Sequence, residues 1–213
     1  MQPSELSRLA RELFPDGPWL VRKMQHWRPY ICPFELLVAA VPPRVTVLDI
    51  GCGGGLFLAL LSRLRDDVRG EGVDNSPLAI RCAQALARDR GLPLRFEQRD
   101  LERGDWPEGQ WDVVSIIDVL HHIAPSQQRE VLVKAASRVK PGGILIYKDM
   151  CRRPTWMAAM NRLHDLVLAR QWIHYLPVEQ AVAWLQDAGL TLQQSTDCRR
   201  LWYGHELRVF ARH

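Results

Sequence analysis

One segment constrains this chain more than any other. The run Val45-Thr-Val-Leu-Asp-Ile50 leads straight into Gly51-Cys52-Gly53-Gly54-Gly55, and Leu56 to Arg65 then follows with helical patterning. A β-branched and apolar run of strand length, without polar alternation, reads as a strand buried on both faces. Glycines between a strand and a helix let backbone N–H groups approach a ligand closely.

The pattern continues downstream. Val68 to Val73 is a second strand, and Ser76-Pro77 opens a helix running to about Arg90, with Ser as the cap and Pro in the first turn. After a turn at Gly91-Leu-Pro, Leu94 to Arg99 is a short strand and Trp111 to Ile117 an apolar one. Pro125 to Val139 is a helix, Pro141-Gly-Gly a turn, and Ile144 to Lys148 another buried strand. Alternating strands and helices predict a parallel sheet covered on both faces, with ligands taken beyond the carboxyl ends of the strands. Ser4 to Phe14 reads as an N-terminal helix with Ser4 as its cap. Residues 154–176 read as one or two helices and Val178 to Asp187 as a helix stopped by Gly189. Leu190 to Ser195 and Glu206 to Arg212 form a closing antiparallel pair.

The glycine loop excludes two common ligands. A dinucleotide fingerprint read from Gly51 needs glycine at 56, where Leu56 stands, and no Gly-Lys-Ser/Thr follows for a phosphate loop. Asp49 would repel a pyrophosphate but suits a cationic amino-acid ligand.

Asp49, Gly51, Gly53 and Gly55 match the acidic-x-Gly-x-Gly-x-Gly loop of the class I S-adenosylmethionine-dependent methyltransferases, and the chain resembles that family over about residues 45–148. The resemblance implies a Rossmann-like, doubly wound α/β fold, with a seven-stranded mixed sheet, its last strand antiparallel, and helices on both faces. It implies S-adenosylmethionine as cofactor, with Asp49 and the loop Gly51-Cys52-Gly53 to Gly55 beside its methionine part. Asp74, at the end of the second strand, accepts the ribose hydroxyls in this reading, since a carboxylate has lone pairs for both. The alternative for Asp74 is a helix N-terminal aspartate favoured by the dipole. Asn75 is either a helix cap or part of the adenine pocket. Asp100 takes the adenine amino group, with Leu101 supplying backbone contact, or is a surface acid among arginines. Asp118, after the fourth strand, falls where the family places residues between cofactor and acceptor. Tyr30 either contacts the cofactor or packs in the core.

The acceptor is narrowed by what is missing. Asp118-Val-Leu-His121 is not the Pro-Pro-aromatic sequence of amino-group methylation, and no Pro-Cys pair serves pyrimidine carbon chemistry. A hydroxyl acceptor needs its proton removed, and histidine suits that near neutral pH. His121 and His122 follow the fourth strand; His122 is preferred for packing near the cofactor, and His121 stays open as base. Both being structural is the plainer alternative. Asp149, after the fifth strand, pairs either with one of these histidines, fixing its tautomer, or with Lys148 or an arginine. Trp156, Met160, Leu163 and Val167 recur at helical spacing, beside His164-Asp165, as a packed face or an apolar roof over the acceptor. A carboxylate–amide metal set would need Asp118, Asp149 and a nearby asparagine, and neither Asn75 nor Asn161 lies at a suitable strand end, so no metal is expected.

Composition bounds the rest. At 213 residues and about 150 residues per domain, one methyltransferase domain over 1–213 is expected. Its parts are a helical cap (1–44), a cofactor-binding core (45–148), a substrate-covering segment (149–177), and a closing helix with antiparallel strands (178–213). Of 28 basic residues, those from Arg88 to Arg103 are interleaved with Asp89, Glu97, Asp100 and Glu102. The net charge of +4 therefore describes a mixed face, not a nucleic-acid stripe. The longest uncharged run, Ile50 to Ser62, is too short to span a bilayer, which takes about 20 apolar residues. With no basic n-region and apolar h-region after Met1, and five cysteines lacking any C-x-x-C, a reducing cytoplasm is the expected setting. The function expected is transfer of a methyl group to a small molecule, most readily a hydroxyl or carboxyl oxygen of an apolar or aromatic metabolite. RNA modification, non-catalytic cofactor binding and, last, hydride transfer are the competing readings. The acceptor's identity and the oligomeric state are not legible.

Overall fold

The first apolar run becomes β1 (Thr46–Ile50), in which Val47, Leu48 and Ile50 are wholly shielded from solvent. The computed structural model describes residues 1–16, 19–151, 174–201 and 203–213. They fall into two compact units, Met1–Asp100 and Leu101–His213.

In the first unit, α1 (Pro3–Leu13), α2 (Trp19–Ile31) and α3 (Phe34–Ala40) precede β1; α4 (Leu56–Leu64), β2 (Arg69–Asp74), α5 (Pro77–Arg90) and β3 (Leu94–Gln98) follow it. β2 pairs in parallel with β1 and with β3, placing Asp49 beside Gly72 and Val73 beside Ile50. Six successive residues of α4, Leu56 to Leu61, are buried, so the first turns of this helix are covered on every side and only its last turn, at Arg63, reaches solvent. Ser76 caps α5 as expected, its Oγ accepting from the Ala79 N–H at 3.3 Å. At α1 the expectation fails: Gln2 holds the cap position, its N–H donating to Glu5 Oε2 at 2.7 Å, and Ser4 lies inside the helix. Pro3 is suited to the first helical position and starts the helix one residue early.

In the second unit come a 3₁₀ turn (Leu101–Arg103), β4 (Trp111–Ile117), a second 3₁₀ turn (Leu120–His122), α6 (Pro125–Ser137), β5 (Val139–Met150), α7 (Val178–Asp187), β6 (Leu190–Arg200) and β7 (Tyr203–Arg212). β4 and β5 run parallel, while β7 lies antiparallel between β5 and β6. The strand order is β3-β2-β1-β4-β5-β7-β6 in a seven-stranded mixed sheet, the expected class of fold. The closing pair is longer than its alternation suggested, because β6 and β7 continue as a hairpin to Arg200 and Tyr203.

Pro141-Gly-Gly is not a turn. It lies inside β5 as a bulge: Trp111 pairs with Val139, and the next pair is Val113 with Ile144. Gly142 takes a φ of 78°, and a Cβ on Gly143 would stand 2.7 Å from the Asp112 carbonyl oxygen. The expected roof residues Trp156, Met160, Leu163, His164, Asp165 and Val167 lie outside the described residues. Among the described residues, no helix is long and apolar enough to cross a membrane.

Candidate active site

The glycine loop of the first unit is built onto the end of β2. Gly51 and Cys52 both donate their N–H to the Val73 carbonyl, at 2.8 and 3.0 Å. Gly53 donates to Asp74 Oδ2 at 2.9 Å, and Ser76 donates to Asp74 Oδ1 at 2.8 Å. The Asp74 carboxylate thus holds the loop on one side and the start of α5 on the other. Each of its oxygens retains a second lone pair for a ligand.

Two glycines here are obligatory for different reasons. Gly53 has φ 53°, and a Cβ on it would meet nothing within 4 Å, so the loop leaves open space over it. Gly55 has φ 81°, and a Cβ there would sit 2.7 Å from the Phe96 ring. Asp49 is buried, at 3% exposure. Burial first, then the charges of Asp49 and Asp74, hold the Cys52 thiol well above its ordinary pKa, so it stays protonated and is no nucleophile.

The other first-unit candidates are spread more widely. Asn75 is exposed, and its carbonyl accepts from Gln98 Nε2 at 3.3 Å. Asp100 is half-buried. Tyr30 sits on α2 with its ring 5.5 Å from that of Trp27. The same helix supplies a residue the sequence did not single out: a Cβ on Gly54 would come within 2.8 Å of Gln25 Nε2, so Gln25 lies against the glycine loop. An amide on an otherwise apolar and basic helix was the available signal.

In the second unit, the Leu101 carbonyl accepts from Gly104 N–H and Trp106 Nε1–H, both at 3.1 Å. Asp118, just past β4, adopts φ 57°, a left-handed conformation that aspartate tolerates better than most residues. Its N–H donates to the Lys148 carbonyl at 2.9 Å, and its Oδ1 lies 2.5 Å from Lys148 Nζ. Lys148 is wholly buried, so the pair is largely desolvated.

Next along β5, Asp149 takes a different partner. Its Oδ1 lies 2.5 Å from His121 Nδ1 and also accepts the Met150 N–H at 2.8 Å. Of the partners open to Asp149, the pairing made is with histidine, and the histidine is His121. His121 is 2% exposed whereas His122 is exposed, their rings 4.1 Å apart and tilted by 49°. Buried Gln128 braces the turn, its Nε2 donating to the Leu120 carbonyl at 2.9 Å and the His174 carbonyl at 3.0 Å. His174 N–H in turn donates to the His121 carbonyl at 2.7 Å. A carboxylate at Nδ1 keeps the proton there and leaves Nε2 as the basic nitrogen of the ring.

Comparison with known proteins decides the family. A family model described as a methyltransferase domain matches residues 6–195. The chain belongs to this family. Among curated relatives of this methyltransferase-family chain, the ubiquinone biosynthesis O-methyltransferase of Nitrosococcus oceani is 27% identical over 157 residues, covering 70% of the chain and 65% of the relative. The chain thus spans just under two thirds of that relative's length. Among solved structures, an O-methyltransferase family protein from Burkholderia thailandensis matches with a TM-score of 0.71 at 27% identity, over 91% of this chain and 57% of that one. Magnesium protoporphyrin IX methyltransferase from Synechocystis PCC 6803, solved with bound S-adenosylhomocysteine, matches with a TM-score of 0.71 at 19% identity over 99% and 96%, a likeness of fold.

Proposed function

We propose that the chain transfers a methyl group from S-adenosylmethionine to an oxygen of a small-molecule acceptor. The observation that carries this reading is the buried His121–Asp149 pair on a methyltransferase fold, in which a carboxylate at Nδ1 favours Nε2 as the proton-accepting nitrogen. Relatives named as O-methyltransferases support oxygen over nitrogen or carbon.

The residues of the first unit fit the cofactor. The open space over Gly53 admits a ligand against the backbone, the buried Asp49 carboxylate suits a cationic amino acid, and Asp74 keeps a lone pair on each oxygen for a ribose diol. Gly51, Cys52 and Gly55 shape that cradle, Asn75 and Asp100 serve the adenine end, and Tyr30 is kept as a contact from α2. In the second unit, Leu101 offers its backbone to the adenine, and Asp118, held by Lys148, borders the cofactor on the acceptor side. The bound cofactor supplies a methyl group on a sulfonium, ready for in-line displacement.

His121 Nε2 removes the acceptor proton, and Asp149 orients the ring and stabilises the imidazolium formed. A dry setting strengthens that charge pairing. His122, exposed and stacked near His121, is assigned to packing. An apolar or aromatic hydroxyl compound is the acceptor class we favour. The five cysteines are free thiols, which suits a reducing cytoplasm.

The test is a panel of phenols, aliphatic alcohols and carboxylic acids incubated with methyl-labelled S-adenosylmethionine. Label in a hydroxyl or carboxyl compound, lost in His121→Ala, is the expected result. Label appearing only in amines or RNA would overturn the oxygen reading.

A further inference from the structure

α6 buries one side along Gln128, Val131, Leu132, Ala135 and Ala136, a spacing of three and four that marks a core-facing stripe. All but the first are apolar. Gln128 opens the stripe with a carboxamide that is 3% exposed. Leucine or methionine would fill that position with no polar group to satisfy, and burying an amide is costly unless it is hydrogen-bonded. The contacts of Gln128 show what the amide is there to do.

They all run to backbone. Nε2 donates to the Leu120 carbonyl at 2.9 Å, to the His174 carbonyl at 3.0 Å and, more weakly, to the Ile123 carbonyl at 3.3 Å. Leu120 and Ile123 flank His121 and His122, so one side chain holds both ends of the 3₁₀ turn. The third acceptor belongs to His174, whose own N–H donates to the His121 carbonyl at 2.7 Å. Within the turn, His122 N–H donates to the Val119 carbonyl at 2.9 Å and Ile123 N–H to the Leu120 carbonyl at 3.0 Å. The carbonyls of Val119, Leu120, His121 and Ile123 are thus all occupied.

A three-residue 3₁₀ turn has little hold of its own, because its hydrogen-bond geometry is poorer than that of an α-helix. Its place is set from outside, and Gln128 is what ties it to α6. The His121 ring needs two constraints to keep Nε2 facing one point. Asp149 Oδ1, at 2.5 Å from Nδ1, sets how the ring is turned. Where the ring starts from is set by the backbone of the turn. A contact this short tolerates little drift of that backbone before it lengthens or bends.

We propose that Gln128 is a positioning residue for His121: its amide fastens the 3₁₀ turn to α6 and so keeps the imidazole aligned with Asp149. The hold concerns the ring alone, and its effect on rate rests on the reading of His121 as the base.

The experiment reads the ring directly, in the full chain. A proton held between imidazole and carboxylate at so short a separation is strongly deshielded and gives a far-downfield proton resonance, identified by its loss in Asp149→Asn. Gln128→Met keeps the length of the side chain and removes the donors. There the resonance should vanish or move upfield. For an oxygen acceptor labelled in the panel above, kcat should fall by up to about 100-fold, the scale for a misplacement of about 1 Å, with KM within about twofold. Hydrogen exchange of the wild type needs no variant. If α6 carries the turn, the Ile123 and His174 N–H groups, corrected for intrinsic rates, should exchange within about tenfold of those of Val131 and Leu132. A merely structural role would lower Tm and leave the resonance in place. A resonance unchanged in Gln128→Met, or a turn exchanging more than about tenfold faster than α6, would overturn the proposal. An undiminished rate in His121→Ala would instead sink the base reading and leave the hold on the ring standing.

Discussion

His121, in the 3₁₀ turn after β4, meets Asp149 of the neighbouring parallel strand β5, Nδ1 to Oδ1 at 2.5 Å, with both side chains almost wholly buried. Because Asp149 only accepts, the contact assigns the ring proton to Nδ1. Asp149→Asn offers an amide instead and destroys that assignment. It should lower kcat by about 10- to 100-fold, the range for partners that orient a reacting ligand, while affinity for S-adenosylhomocysteine stays within about twofold. Steady-state rates with any accepted alcohol or phenol check this, and an undiminished kcat would remove Asp149 from the mechanism.

Asp74 joins two functions, holding the Gly53 and Ser76 N–H groups while offering lone pairs to a ligand. Asp74→Ala should weaken S-adenosylhomocysteine binding by about 10- to 100-fold, as expected for loss of charge-assisted hydrogen bonds. Calorimetric affinity equal to that of the wild type would refute the ribose assignment.

The buried lysine makes a stability prediction. Lys148→Met leaves Asp118 without its ammonium partner and should cost about 3 kcal/mol, the scale for stripping one member from a desolvated pair. Adding Asp118→Asn to that variant should restore part of the loss. Urea denaturation of the single and double variants reads both values; additive losses would show that the pair is not coupled.

Glu206 predicts a pH dependence with a definite sign. Burial, with Asp197 and Glu179 of α7 adding to it against Cys151 and Arg208, raises its carboxyl to about 7 in the fold against 4.5 for a free side chain, so the folded state holds the proton more tightly. Its contribution to stability is complete below about pH 4.5 and is lost as pH rises through about 7. Glu206→Gln removes this titration. The Tm of the variant minus that of the wild type should therefore grow between about pH 5 and about pH 8. A difference that is flat or shrinks over that window contradicts the assigned environment.

The parts of this fold legible from sequence are those governed by short-range rules. The strand–glycine–helix unit at 45–65 and the Ser76-Pro77 start of α5 each contain their own cause within a few residues. The cap at Gln2 was missed because Ser4 is intrinsically the better cap, and only the placement of Pro3 overrides it. Pro141-Gly-Gly carries ordinary turn chemistry, and what turns it into a bulge is the Asp112 backbone on the neighbouring strand. Likewise no local pattern pairs Asp118 with Lys148, separated by 30 residues, or brings Glu206 beside Asp149. Candidate site residues were visible as types at strand ends, while their pairings are products of register.

That bulge has a consequence for chemistry some distance from it. Between its first two pairings with β4, β5 advances five residues, from Val139 to Ile144, while β4 advances two, from Trp111 to Val113. The excess is odd, and side chains on a strand alternate with a period of two. The glycines therefore act as a parity setting for everything beyond them. With this parity, an acid is presented to His121 and a lysine to Asp118. One residue more in the bulge would offer the ammonium of Lys148 to the histidine and one fewer would offer Met150, and the same sequence of strand residues would carry a base with no partner to orient it.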